Sequence, residues 1–72
     1  LNPSDGHFSV FISKNGKYLA TIYNTIGEKI LTKEITDQQT FNLSELAKGQ
    51  YLLELIDIKD SDQKVTKSFT IN

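Results

Sequence analysis

His7 is the only imidazole in the chain, so it is the first residue to weigh for nucleophilic catalysis. Ser4 and Ser9 lie close to it in sequence and supply hydroxyl groups. A catalytic serine also needs a base that a third group orients, and no motif in this sequence brings such a set together. We therefore predict no catalytic residue, and we interpret His7 as a solvent-facing residue at the start of a strand.

A small acidic cluster, formed by Asp57, Asp60 and Asp62, raises calcium binding as a second chemistry. A calcium-binding EF-hand loop needs a glycine at its sixth position and a glutamate at its twelfth, and neither spacing is met here. Lys59 and Lys64 also partly neutralise the cluster. We predict a polar hairpin turn at this place, with no metal site and no cofactor.

Aromatic residues in strands raise carbohydrate binding as a third chemistry. Phe11, Tyr18, Tyr23 and Tyr51 would form a sugar-stacking platform if their rings were coplanar and exposed, although such residues more often pack in a core. An adhesive or carbohydrate-binding module appended to a surface enzyme is therefore the alternative function. Glycoside hydrolysis is disfavoured, because a domain of 72 residues has little room for a cleft lined by paired carboxylates.

Composition excludes several further classes of protein. The chain has no cysteine, which rules out a disulfide framework, a thiol nucleophile and a zinc finger. Its eight lysines are scattered, it has no arginine and its net charge is −1, so nucleic acid is a poor candidate partner. No apolar stretch approaches the ~20 residues of a transmembrane helix, and no signal-peptide pattern opens the chain. Because the sequence starts at Leu1, we expect a fragment of a longer or processed polypeptide.

Short stretches with period-two alternation of apolar residues dominate the sequence, as in Phe8, Val10 and Ile12. The predicted strands cover residues 7–12, 18–24, 29–35, 40–43, 50–58 and 64–71. Turns separate them, and Ser44 could cap one helical turn near residues 44–48. We predict one all-β domain over residues 1–72, a small antiparallel immunoglobulin-like β-sandwich of six to seven short strands.

Three turns have specific sequence signals. Asn15-Gly16 predicts a tight hairpin between the first two strands, with its register left open between a two-residue turn and a one-residue slip through a bulge. Gly27 and Gly49 lie where the following turns favour a positive φ.

The last two strands are predicted to take different places in a sheet. Residues 50–58 carry apolar side chains on both faces, which indicates a central strand covered from both sides over part of its length. Lys67 interrupts the apolar pattern of Val65, Phe69 and Ile71, which suits an edge strand. An exposed edge is also open to pairing with a second copy, so an edge-paired or domain-swapped dimer is one expected assembly.

Four segments, residues 2–10, 22–30, 41–53 and 65–71, together resemble one family. They contain an opening Asn-Pro with a glycine before the first strand, an aromatic-Asn-x-x-Gly turn, a Leu-Ser-x-Leu-x-x-Gly-x-Tyr segment and a short last strand with a lysine. In this order and spacing they resemble the type A C-terminal sorting domain of the Bacteroidetes type IX secretion system. The residues that carry the motifs, and that we expect to specify the fold, are Asn2, Pro3, Gly6, Asn24, Gly27, Leu43, Leu46, Gly49 and Tyr51.

The resemblance implies a non-catalytic sorting signal at the C-terminus of a secreted cargo protein. The outer-membrane translocon would recognise the domain, and a sortase would remove it by a cut near or before Leu1. The cargo would reach the cell surface or the medium through the periplasm, released or attached to an anionic lipopolysaccharide. The candidate recognition residues lie in the last strand: Lys64, Val65, Lys67, Phe69 and Ile71.

Overall fold

A computed structural model of the chain describes residues 7–12 and 16–72, and its elements are all β-strands. The strands are β1 (His7–Phe11), β2 (Tyr18–Asn24), β3 (Lys29–Ile35), β4 (Gln38–Asn42), β5 (Gly49–Asp57) and β6 (Lys64–Ile71). Within the described residues no helix forms. The predicted helical turn near residues 44–48 is a hydrogen-bonded turn, in which the amide of Leu46 donates to the carbonyl of Leu43 at 3.0 Å.

The strands form two antiparallel sheets. The larger sheet has the order β3-β2-β5-β6, and the smaller one pairs β1 with β4. In the larger sheet Ile22 is opposite both Leu31 and Leu53, and Leu53 is opposite Lys67, so these four residues form one row across the sheet. Side chains alternate between the two faces of a strand, so the side chains of this row all lie on one face of the sheet. The β1–β4 pair covers that face, which is here called the inner face.

A single core lies between the two sheets. The larger sheet contributes most of its buried side chains, and Val10 and Phe41 bring the smaller sheet into contact with them. Among the described residues, the buried apolar ones are Val10, Ala20, Ile22, Ile35, Phe41, Leu43, Tyr51, Leu53, Phe69 and Ile71. The predicted small antiparallel β-sandwich is therefore confirmed.

The predicted hairpin between the first two strands is wrong. β1 pairs with β4, with Val10 opposite Gln39, while both edges of β2 are occupied by β3 and β5. Neither register that we considered for the hairpin forms, because the chain crosses from one sheet to the other between β1 and β2. Asn15 and the side chain of Phe8 lie outside the described residues.

The predicted place of β5 is partly confirmed. β5 is central, between β2 and β6, and Tyr51, Leu53 and Leu55 face inward, the first two buried. The opposite face is less covered than we predicted, because Leu52 there is 37% exposed. β6 is an edge strand among the described strands, as Lys67 indicated.

Candidate recognition site

The aromatic-Asn-x-x-Gly motif forms the turn between β2 and β3. The Asn24 side-chain oxygen accepts hydrogen bonds from the amides of Ile26 (3.2 Å) and Glu28 (2.8 Å), while its Nδ2 donates to the Glu28 carboxylate at 2.7 Å. The Gly27 amide donates to the Asn24 carbonyl at 3.1 Å. Gly27 has a φ of 86°, which a glycine adopts without the steric penalty of a Cβ. The positive φ predicted at Gly27 is confirmed.

The Leu-Ser-x-Leu-x-x-Gly-x-Tyr motif forms the connection between β4 and β5. Leu43 is buried and Leu46 packs against the core, so both leucines hold the loop down on the sandwich. Gly49, with φ at 145° as predicted, leads the chain into β5. Tyr51 is buried in that strand and donates a hydrogen bond to the carbonyl of Ala47 at 2.6 Å, tying the strand back to its own loop.

Tyr51 also joins β5 to the edge strand. Its ring stacks on Phe69 with centroids 5.8 Å apart and an interplanar angle of 24°. The described motif residues therefore contribute turns and core contacts, and their role in specifying the fold stays a prediction. Asn2, Pro3 and Gly6 lie outside the described residues.

The five candidate recognition residues of β6 divide into two groups. Phe69 and Ile71 are each 3% exposed and belong to the core, so their side chains are not available to a partner. Lys64, Val65 and Lys67 are exposed on the same strand. Recognition through these residues stays a prediction, and the geometry limits direct side-chain contact to the first half of β6.

An open cleft lies beside the exposed half of β6, on the inner side of the larger sheet. It has a volume of about 410 Å³, and its apolar wall includes Val10, Ile12, Tyr18, Leu55 and Val65. Val65 is 50% exposed, and the neighbouring Phe11 is 72% exposed. This end of the sandwich therefore leaves apolar surface uncovered, whereas Phe69 and Ile71 at the other end of β6 are sealed in the core. The strand patterns had not predicted the cleft, because it depends on how the two sheets overlap.

The outer face of the larger sheet carries a polar cluster around Glu54. Tyr23 donates a hydrogen bond to its Oε1 at 3.2 Å, and the Lys64 Nζ lies 4.0 Å from its Oε2. Desolvation at the half-buried phenol, followed by the charge of and hydrogen bond to Glu54, raises the pKa of Tyr23 above its ordinary value of 10.0. Lys64 therefore has a carboxylate neighbour on this face.

The four aromatic residues of the alternative, sugar-binding interpretation do not share a plane. Tyr51 is buried in the core and Tyr18 lies on the inner face, whereas Tyr23 occupies the outer face. Phe11 belongs to the smaller sheet. No observation favours a stacking platform made of these rings.

Several of the groups that suggested catalysis or metal binding have structural partners, and Ser4 lies outside the described residues. The Ser9 and Thr40 hydroxyls lie 3.0 Å apart in a cross-strand hydrogen bond, and His7 is exposed at the start of β1 as predicted. Asp57 and Asp60 accept hydrogen bonds from amides of their own turn, at 2.9 and 3.2 Å. This is the polar hairpin turn that we predicted. Over residues 7–12 and 16–72, no group of three or more carboxylate or histidine side chains is arranged to hold a metal ion.

These elements define a small antiparallel β-sandwich. The chain belongs to the family of secretion system C-terminal sorting domains, whose family model matches residues 2–72. The resemblance seen in the sequence is thereby confirmed. No curated protein and no solved structure shows significant similarity to this chain.

Membership of the family fixes the broad role of the domain. It is a sorting domain of the type IX secretion system, in a family that is generally non-catalytic. Such a domain implies a secreted protein destined for the cell surface or the outside, and an association with cargo and secretion machinery. Within the described part of the chain, no helix is long and apolar enough to cross a membrane.

Proposed function

We propose that residues 1–72 form a single non-catalytic domain at the C-terminus of a larger secreted protein. The domain directs its cargo to the outer-membrane translocon of the type IX system, and a sortase then removes it upstream. The cargo is released or anchored at the cell surface. The observation that carries this proposal is the family match over residues 2–72.

The proposal treats the folded domain, rather than a linear peptide, as the signal. The described motif residues support it, because they form turns and core contacts and leave few side chains free for a partner. Tyr51 and Leu43 are buried, and the Asn24 side chain is occupied by its own turn. The exposed candidates for contact are then Lys64, Val65 and Lys67.

A reporter fusion in a type IX-competent bacterium tests the function. A reporter carrying a signal peptide and residues 1–72 is expected in the medium or on the cell surface, and the same reporter without the domain is expected to stay in the periplasm. Normal export without the domain would refute the proposed function.

A second set of fusions tests the role of β6. Deleting residues 64–72 is uninformative alone, because it also removes the buried Phe69 and Ile71. The sharper variant replaces Lys64, Val65 and Lys67 together by serine, which leaves the core side chains in place. We expect reduced export of a reporter whose domain still unfolds cooperatively. Unchanged export would show that recognition uses another surface.

A further inference from the structure

The open cleft beside β6 has a distinct chemical character. Its wall is mainly apolar, with Ser9 and Gln63 among its polar residues, and the described residues that line it include Lys64 and Lys67 but no aspartate or glutamate. The chain as a whole carries a net charge of −1, so the positive character is local to this end of the sandwich. A partner that matches the cleft must therefore present apolar groups together with negative charge.

Lys67 is the cation best placed to meet such a partner. It lies opposite Leu53 in the sheet, on the face that turns toward the core, and it is exposed. No carboxylate among the described residues lies within 4.0 Å of its ammonium group. Lys64, by contrast, already has Glu54 on the outer face. The inner face thus presents an apolar residue, Val65, and two positions later a cation that has no acidic partner among the described residues.

The backbone of β6 favours an extended partner. Among the described strands β6 pairs with β5 alone, so its other edge offers amides and carbonyls in the pattern that a further strand can pair with. In a strand added there, alternate side chains would point to the inner face and meet Val65 and Lys67 directly. The complementary residues are an apolar side chain opposite Val65 and a carboxylate opposite Lys67.

We propose that the cleft binds an extended segment of a partner protein, added as a strand to the edge of β6 that no described strand pairs with. The segment carries an apolar residue and an acidic residue two positions apart. That the partner belongs to the secretion machinery rests on the proposed function above, whereas the binding of such a segment can be measured without it.

A titration of the isotope-labelled domain tests binding directly. The probe is the acetylated and amidated peptide Thr-Glu-Thr-Val-Thr-Glu-Thr, which places a carboxylate two positions from valine in either strand direction. We expect saturable amide shifts at Val65, Lys67 and Ile12. The same peptide with lysine replacing both glutamates is expected to produce no saturable shift. Equal shifts with both peptides, or none with either, would overturn the proposal.

Two pairs of variants link binding to the cleft. Lys67→Glu is expected to weaken binding of the acidic peptide by about tenfold and to permit some binding of the lysine peptide. Lys33→Glu, on the opposite edge strand, is expected to leave the binding of both peptides unchanged. Val65→Asp is compared with Ile26→Asp, since Ile26 is exposed in the β2–β3 turn. Thermal unfolding of each variant establishes that it is folded. Equal effects within either pair would contradict a site at the cleft.

The same variants in the export assay separate the two proposals. If removal of the domain abolishes export while Lys67→Glu and Val65→Asp export normally, the cleft proposal fails and the sorting function stands. If export does not need the domain, the sorting function fails, and the peptide titration still decides whether the cleft binds a strand. Saturable binding of purified anionic lipopolysaccharide at Val65 and Lys67, without binding of the acidic peptide, would overturn the proposal. The ligand of the cleft would then be a glycolipid and not a protein segment.

Discussion

Asn24 links its strand to the next one through its side chain and its backbone together. One side-chain oxygen accepts from two amides, Nδ2 donates to Glu28, and the Asn24 carbonyl accepts from Gly27. The turn therefore depends on an amide side chain, since a carboxylate could accept but could not donate to Glu28. This explains in physical terms why asparagine and glycine stand three residues apart.

Replacing Asn24 by alanine should destabilise the domain by about 1–2 kcal/mol, because three side-chain hydrogen bonds are lost at a partly exposed turn. Urea denaturation measures the loss in the free energy of unfolding. Asn24→Asp should not restore this stability, because it keeps the acceptor but loses the donor and places a second carboxylate against Glu28. The control is Thr25→Ala in the same turn, where the change is expected to be near zero. Equal losses at the two positions would show that the turn does not depend on the amide.

Ionisation of Tyr23 is expected to lower the stability of the domain at alkaline pH. Desolvation and Glu54 raise the pKa of its phenol in the folded state, so folding favours the protonated form. That contribution is fully present below the pKa of the unfolded chain, near 10, and is lost as the pH rises through the folded pKa. Denaturation series across this range should show a smaller alkaline loss for Tyr23→Phe and for Glu54→Gln. If the wild type and both variants lose the same free energy of unfolding at alkaline pH, Tyr23 is not the cause of the loss.

At the scale of elements, the order of the larger sheet predicts unequal local stability. β2 and β5 are paired on both sides, whereas β1 and β4 form a two-strand ribbon. Amide hydrogen exchange should therefore be slowest in the middle of β5, around Leu53, and fastest in β1. Amides of β6 that pair with β5 serve as the comparison, since they belong to the same sheet but to its edge. Protection of β1 equal to that of β5 would show that the sheets open together.

Much of the strand plan could be predicted from the sequence because period-two patterns are local. The bounds of β2, β3 and β6 agree with the prediction, while β1, β4 and β5 differ by one or two residues at their ends. Partner choice is not local, and the Asn15-Gly16 signal therefore led to a wrong pairing for β1. Asp37 gave no sequence signal, yet it has a φ of 62° and its carbonyl accepts from the Ile12 amide at 2.7 Å.

The candidate site was predictable to a smaller extent. The pattern identified β6 as an edge strand and identified Lys67 as a charge out of phase with its apolar neighbours. It did not show which of the five β6 residues are buried, because burial of Phe69 and Ile71 depends on the overlap of two sheets. It also did not show the cleft, whose walls come from β1, β2, β5 and β6 together.

At the scale of the whole molecule, the small core leaves little stability in reserve. A domain below about 80 residues seldom gains more than about 3–5 kcal/mol from a single core, and truncating a buried leucine costs about 2–5 kcal/mol. Leu53→Ala, at a position 2% exposed, should therefore abolish cooperative thermal unfolding. Leu52→Ala, one residue away on the outer face, should leave it nearly unchanged.

The same two variants test whether a folded domain is needed for sorting. A reporter fused to the Leu53→Ala domain should stay in the periplasm, and one fused to the Leu52→Ala domain should be exported. Full export of an unfolded Leu53→Ala domain would mean that the machinery reads a linear segment.

The position of β6 in the chain has a consequence for the timing of folding. β6 follows the other described strands, yet its Phe69 stacks on Tyr51 and its Ile71 is sealed in the core. A ribosome releases the chain from its N-terminus, so β1 to β5 emerge while these two side chains are still missing. The native core includes Phe69 and Ile71, so a chain that ends before β6 cannot acquire it. A complete native core thus marks a chain that includes all six described strands.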